Sequence, residues 1–276
     1  MRLIDVEHLG RPRVIGCWQL DGVLIDPGPE SSLQNLLAAL CGERPRALLL
    51  THIHLDHAGA TGALVRRWPD LEVYVHERGA PHLEDPSKLL DSAARLYGDQ
   101  MDRLWGEVLP VPEENIRPLA GGEEVLGLRV AYTPGHASHH VCYFDPDSGR
   151  AYVGDVAAIH IAPADFVLPP TPPPDIDIEA WERSIAAVEE WRPESLGLTH
   201  FGAVEEPGPH FAAVRSRLHE LADRARRLDA DSFERALREE ITDAADPQTA
   251  DALVQAVFPE LQWPGLDRYW RKRSEQ

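Results

Sequence analysis

Basic residues are scarce in this 276-residue chain: 27 lysines and arginines stand against 46 aspartates and glutamates, a formal net charge of −19. Nucleic-acid affinity comes largely from neutralising phosphates, so such a field argues against polyanionic partners. Long apolar runs are missing as well. No stretch reaches the roughly 18 uninterrupted apolar residues that a membrane-spanning helix needs, and the opening Met-Arg-Leu-Ile-Asp-Val-Glu-His has no apolar signal core. The expected location is the cytoplasm, with no membrane partner. Cysteine is nearly absent. Cys17, Cys41 and Cys142 are far apart, and none forms a Cys-x-x-Cys pair. They read as small buried side chains in a reducing compartment, not as metal ligands or nucleophiles. Neither is there a Gly-x-Ser-x-Gly elbow to carry a serine nucleophile.

With 43% hydrophobic residues the chain can bury a sizeable core. Arg13–Leu20 and Gly22–Ile25 read as strands meeting at an Asp21-Gly22 hairpin, and Asp26-Pro-Gly-Pro reads as a break after them. A helix with Leu33, Leu36, Leu37 and Leu40 on one face follows, capped by Ser31 or Ser32. Ala47–Leu50 reads as a buried strand, Gly59–Trp68 as a helix and Leu71–Val75 as the next strand, an alternation that implies a layered α/β fold. A helix over Ser87–Leu96 belongs to a cap near the site. Strands are expected at Glu124–Thr133, His140–Phe144, Arg150–Val153 and Ser195–Leu198, and a helix at Ile178–Trp191. The proline-rich residues 163–175 read as an extended loop. From Pro207 onward the pattern is helical, with helices at Phe211–Leu228, Ser232–Ile241 and Thr249–Val257 and a last turn around Tyr269 and Trp270.

The chemistry is concentrated in Thr51-His52-Ile53-His54-Leu55-Asp56-His57. Three imidazoles and a carboxylate at this density suit zinc, manganese or iron, and without a cation they would compete for protons. Alternate residues leaving a strand point the same way, so His52 and His54 can share one ion. Asp56 and His57 lie further round the turn, placed for a second. Further ligands are expected after later strands: His136 in Thr133-Pro-Gly-His, Asp155 in Val153-Gly-Asp, and His200 in Leu198-Thr-His. A lone histidine after a strand is usually structural, but the same placement three times is a pattern.

Together these residues resemble the metallo-β-lactamase superfamily, over about Val14 to His200. The resemblance implies an αββα sandwich over residues 1–204, with residues 205–276 as a C-terminal helical extension. It implies that His52, His54 and His136 hold a first metal, that Asp56, His57 and His200 hold a second, and that Asp155 bridges them. Two divalent ions are therefore expected, zinc before manganese or iron. The expected reaction is hydrolysis by a metal-bridging hydroxide of a small thioester, lactone or other ester, with Asp56 orienting the nucleophile and relaying a proton.

The segment Thr133-Pro-Gly-His-Ala-Ser-His-His140 is similar to that of glyoxalase II, except that His139 stands where that family carries glycine. His140 is expected to hydrogen-bond the site without binding metal. A phosphodiesterase or nuclease of the same fold is one alternative, and a mononuclear-iron persulfide dioxygenase is another. His160 is a candidate to line the pocket, as are Tyr97, Trp105, Phe166 and Phe201. His8, His76, His82, His210 and His219 read as structural or exposed. The expected partner is a small-molecule substrate. A homodimer through Trp263 and Trp270 is the one assembly suggested, against burial of both in the tail's own core.

Overall fold

The computed structural model describes residues 1–275. In chain order the elements begin with β1 (Arg2–Asp5), β2 (Gly16–Leu20), β3 (Val23–Ile25), α1 (Leu33–Leu40), β4 (Ala47–Leu49), α2 (Leu55–Ala58), α3 (Thr61–Arg67) and β5 (Glu72–His76). Then come α4 (Ala80–Glu84), α5 (Ser87–Tyr97), α6 (Met101–Trp105), β6 (Ile116–Leu119), β7 (Glu124–Val125), β8 (Leu128–Tyr132), β9 (Val141–Asp145) and β10 (Arg150–Tyr152). The chain closes with α7 (Ile178–Glu190), β11 (Ser195–Leu198), β12 (Gly202–Val204), α8 (Pro207–Ala225), α9 (Ala230–Ala244), α10 (Pro247–Val257) and α11 (Pro259–Ser274). The strands make two six-stranded sheets, ordered β1-β2-β3-β4-β5-β6 and β12-β11-β10-β9-β8-β7. Helices flank the sheets, as the α/β reading requires, and among the described residues the chain beyond β12 consists of helices and their short links. Among the described residues no helix is long and apolar enough to cross a membrane.

The chain forms two compact units. One comprises Met1–Tyr132 with His139–Tyr143, and the other Thr133–Ser138 with Phe144 onward. In the first unit, β1, β2 and β3 pair antiparallel, and β3 to β6 run parallel. The hairpin at Asp21-Gly22 has both residues at positive φ, 46° and 78°, with Leu20 opposite Val23. This is the two-residue turn whose twist matches that of its strands. Every residue of β4 is buried, the mark of an interior parallel strand. Its neighbours β3 and β5 set Ile25 and Tyr74 against Leu49, so β3 and β4 end together where the histidine motif begins, beside the longer β5. In the second unit β10 and β11 are parallel and β12 turns back antiparallel. The helices of this unit are capped from the sequence: the Asp229 and Asp246 side chains accept the first backbone N–H groups of α9 and α10. Phe233, Leu237 and Ile241 form the buried face of α9.

Several expectations need correction. The strand expected over Glu124–Thr133 is a hairpin, β7 and β8, turned at Leu126 and Gly127 with φ 53° and 85°. The turn at Tyr269 and Trp270 is part of α11, which continues through Pro264. Its buried face (Leu261, Gln262, Gly265, Leu266, Tyr269) holds the helix where the Pro-Gly pair predicts a break, so packing overrides propensity. Trp263 and Trp270 donate their indole N–H groups to the Leu228 and Ala222 carbonyls. Cys17 and Cys142 are buried, but Cys41 is exposed, since it ends α1 in the left-handed region at φ 51°.

Glu240 of α9 lies between Arg217 and Arg224 of α8 and pairs with both. Burial by itself would raise the Glu240 carboxyl, but the hydrogen bonds from Arg224 and Arg217 outweigh it and hold it below the ordinary range. A carboxyl depressed in the folded state stabilises the fold above its unfolded pKa, about 4.3, and loses that contribution as pH falls through the folded value. Glu240→Gln is therefore expected to lower stability at pH 7 by about 1–3 kcal/mol. The gap from the native chain should shrink as thermal melts are repeated toward pH 3, and a gap that stays constant with pH would contradict the pairing.

Candidate metal centre

The first unit contributes the histidine motif. Beyond β4 the backbone is fixed from two sides: the Val141 N–H donates to the Thr51 carbonyl at 2.7 Å, and the Tyr143 hydroxyl to the Leu50 carbonyl at 2.8 Å. His54 is extended and caps α2, whose single turn carries Asp56 and His57. The alternation expected of His52 and His54 is present, with His52 Nε2 3.0 Å from His54 Nδ1. Two imidazole nitrogens this close share either a proton or a cation. His57 Nε2 lies 3.8 Å from Asp56 Oδ2. His52 and His57 are fully buried, while Asp56 is the more accessible group, its side chain 20% exposed.

What aims these rings is a residue the sequence reading treated only as a strand break. Asp26 follows β3, is completely buried and sits at φ 51°. Its Oδ1 accepts the Thr51 N–H at 2.8 Å, and its Oδ2 accepts the Thr51 hydroxyl at 2.7 Å. The same Oδ2 accepts His57 Nδ1–H at 2.8 Å. A carboxylate held this way is acceptor-only, so His57 carries its proton on Nδ1 and turns the lone pair of Nε2 toward Asp56. The Thr51 hydroxyl, having donated to Asp26, accepts from His52 Nδ1 at 3.0 Å, so His52 Nε2 faces His54 without that proton. The signal was legible in principle: β3 neighbours β4, so a carboxylate one residue past Ile25 lies beside the start of the motif. His140, expected to hydrogen-bond the site, is buried with its ring stacked 5.0 Å from that of His52. His139 stands edge-on to His54 at 5.7 Å, and its Nδ1 accepts the Ile53 N–H at 3.4 Å.

The second unit contributes His136, Asp155 and His200, all nearly inaccessible. Gly135 has φ 137°, and a Cβ there would fall 2.4 Å from the Trp181 backbone, so only glycine lets α7 pass this close and still project His136. His136 Nδ1 donates to the Pro170 carbonyl at 2.9 Å, and its Nε2 lies 3.2 Å from Asp155 Oδ2. The other oxygen, Asp155 Oδ1, lies 3.7 Å from His200 Nε2. Each oxygen of one buried carboxylate therefore addresses a different imidazole. Asp155 stands with His136 among donor atoms close enough together to hold a cation.

The remaining candidates separate by surroundings. The backbone of His160 brackets His200, its N–H donating to the His200 carbonyl and its carbonyl accepting from Phe201. Its Nδ1 meets the Phe166 carbonyl at 3.3 Å, and its half-buried ring lies edge-on to His210. Burial, more than anything else, lowers the pKa of His210, against the hydrogen bond to the Ala157 carbonyl that raises it. Trp105 is core, stacked on buried His8 with Tyr97 against its edge. Phe166 lies under the Arg217 guanidinium, and Phe201 is half-buried. His76 is buried against Tyr132, His82 is half-buried, and exposed His219 pairs with Glu182.

Residues 21–194 match the model of the metallo-β-lactamase superfamily. The metallo-β-lactamase fold-containing protein ST1585 of Sulfurisphaera tokodaii is 29% identical over 195 residues, 68% of this chain and 71% of that protein. Its crystal structure superposes with a TM-score of 0.73 at 22% identity, covering 96% of this chain and 97% of that one, a likeness of fold. The probable metallo-hydrolase YflN of Bacillus subtilis is 31% identical over 231 residues, 73% of this chain and 81% of YflN. The hydroxyacylglutathione hydrolase of Aeromonas salmonicida is 28% identical over 154 residues, and the match spans about half of each protein, 50% and 48%.

Asp26→Asn is the sharpest test of how the first unit holds its rings. An amide cannot accept all three bonds as the carboxylate does. Metal affinity, measured by competition with a chromogenic chelator, is expected to fall about 10–100-fold while the far-ultraviolet circular dichroism is kept. Unchanged affinity would show that Asp26 serves only the fold.

Proposed function

We infer that this chain, which belongs to the metallo-β-lactamase superfamily, is a hydrolase that binds two divalent cations, zinc by preference, and cleaves a small thioester, lactone or other ester. On this reading His52, His54 and His136 would hold a first ion and Asp56, His57 and His200 a second, with Asp155 shared between them. The observation that carries this reading is Asp155: a buried carboxylate whose two oxygens face His136 and His200 separately. Left without cations, a buried carboxylate among imidazoles must take up protons or suffer a large desolvation cost. The donor set of each unit is nitrogens and carboxylate oxygens, with the other ring nitrogens of His57, His52 and His136 tied to Asp26, Thr51 and Pro170, and such a set suits zinc.

A bound metal pair supplies an acidified water, with a pKa near about 7, and electrophilic help at the substrate oxygen. The chain's own residues do the rest. Asp26 and Thr51 hold His57 and His52 in one tautomer each. Asp56, the accessible carboxylate of the motif, orients the attacking water and receives its proton. No side-chain nucleophile is needed.

The substrate class rests on two supports. The likeness to hydroxyacylglutathione hydrolase favours an acyl thioester or a related ester. The charge of −19 disfavours a polyanion. The one concentrated basic stretch, Arg268–Arg273, is spent within the chain: Arg268 and Lys272 donate to the Pro174 carbonyl, Arg271 pairs with Asp267 and Arg273 with Glu179. That weighs against a nuclease.

Purified protein is expected to carry two zinc or manganese ions per chain by elemental analysis and to turn over one class in a panel of thioesters, lactones and phosphodiesters. Asp155→Ala and His136→Ala should each cut turnover by at least about 100-fold and lower the metal content. Full activity in either variant, or a single iron per chain with oxygen consumption on a persulfide, would overturn the reading.

A further inference from the structure

The C-terminal helices carry none of the ligands, yet one of them reaches a ligand through two short steps. His136 is fixed by the hydrogen bond from its Nδ1 to the Pro170 carbonyl, 2.9 Å long. Pro170 belongs to the proline-rich loop, which is tied on one side at Leu168 by a single antiparallel bridge to Ile159. The next residue, Thr171, is completely buried and is gripped from α11. Its N–H donates to Gln262 Oε1, and its hydroxyl lies 3.0 Å from the same oxygen and 3.3 Å from the Gln262 carbonyl. Gln262 is only 1% exposed, and its Nε2 donates to the carbonyls of Val257 and Phe258 at the junction of α10 and α11. The loop presses so close to the helix that a Cβ on Gly265 would fall 2.0 Å from the Thr171 carbonyl oxygen. Both polar ends of the Gln262 side chain are thus committed, one to the helical tail and one to the residue after Pro170.

We propose that Gln262 is a positioning residue for His136, acting through Thr171 and the Pro170 carbonyl. This rests on the reading of His136 as a metal ligand. The physical content is an orientation. Imidazole has two tautomers of similar energy, and a ligand must present Nε2 bare in one direction. A carbonyl accepts only, so a fixed Pro170 oxygen selects the Nδ1–H form and sets the ring plane. A loop carbonyl free to move by an ångström would do neither. Groups that hold a ligand in this way typically govern metal affinity by about 10–100-fold. The helical tail then steadies one candidate ligand of the second unit, His136, from Gln262, a residue 62 positions beyond His200.

The test uses the full chain, metal-stripped and zinc-loaded. Gln262→Met keeps the side-chain volume and removes both polar contacts. Thr171→Val removes only the hydroxyl. Trp263→Phe removes the bond to Leu228 and serves as a control for lost tail stability. In metal-stripped protein, long-range nitrogen–proton spectra of the histidine rings should show His136 as the Nδ1–H tautomer in the native chain and as a mixture in Gln262→Met. In loaded protein, zinc affinity by chelator competition should fall ~10-fold in Gln262→Met and ~3-fold in Thr171→Val. Trp263→Phe should match the native chain in both readouts even where its melting temperature is lower. Folded Gln262→Met with an unchanged tautomer and an affinity within twofold of native would overturn the proposal. If Gln262→Met does not fold, Thr171→Val decides in the same way. Should the native chain take up no metal at all, the hydrolase reading falls, while the tautomer comparison still tests the relay.

Discussion

Ionisable groups removed from water must be met by donors, by counter-charges or by cations, and that constraint shapes this molecule around two carboxylates. Asp26 is met entirely by protein. Three hydrogen bonds from Thr51 and His57 satisfy its oxygens, and in exchange it aims two imidazoles. Asp155 is met by the ring nitrogens of His136 and His200, groups that neutralise it only if protonated or if cations lie among them. Burial near completion for His52, His57, His136 and His200 makes permanent protonation of all of them costly, which is the physical argument for the proposed cations.

The backbone follows from that demand. The candidate ligands His52, His136, Asp155 and His200 follow strand ends closely, and Asp56 and His57 sit on the single turn of α2 beyond β4, where a rigid sheet edge gives way to chain that can present a side chain. The turns are held by specific close approaches, such as Gly135 against the Trp181 backbone and the Tyr143 hydroxyl on the Leu50 carbonyl. The helices after β12 fit the same logic, since α11 clamps the loop that carries the Pro170 carbonyl. A tail that reads from sequence as an appendage is joined by buried polar contacts to a loop beside the ligands.

Much of this was legible in the amino-acid order. The density of His52, His54, Asp56 and His57 announces metal chemistry because no ordinary loop needs four such groups. The interior strands β3, β4 and β11 and the helices α1, α5 and α7 follow from apolar runs and their periodicity. What escaped is what depends on partners remote in sequence. Short edge strands β1, β6 and β12 have little apolar signal, because only one neighbour pairs with them. The length of α11 was hidden by Pro264-Gly265, local breakers overruled by the packing of Leu261, Leu266 and Tyr269. Asp26 looked like turn chemistry because its two partners, Thr51 and His57, lie 25 and 31 residues away. Gln262 gave no signal at all, its partner Thr171 lying 91 positions back.

The central claim is that one carboxylate joins a pair of cations, and X-ray absorption at the metal edge of the fully loaded protein tests it most directly. A metal–metal scattering path at about 3.5–4 Å, with a first shell of nitrogen and oxygen, is the result predicted. A fully loaded sample whose spectrum holds only light-atom neighbours, with no second metal within that range, would contradict the account.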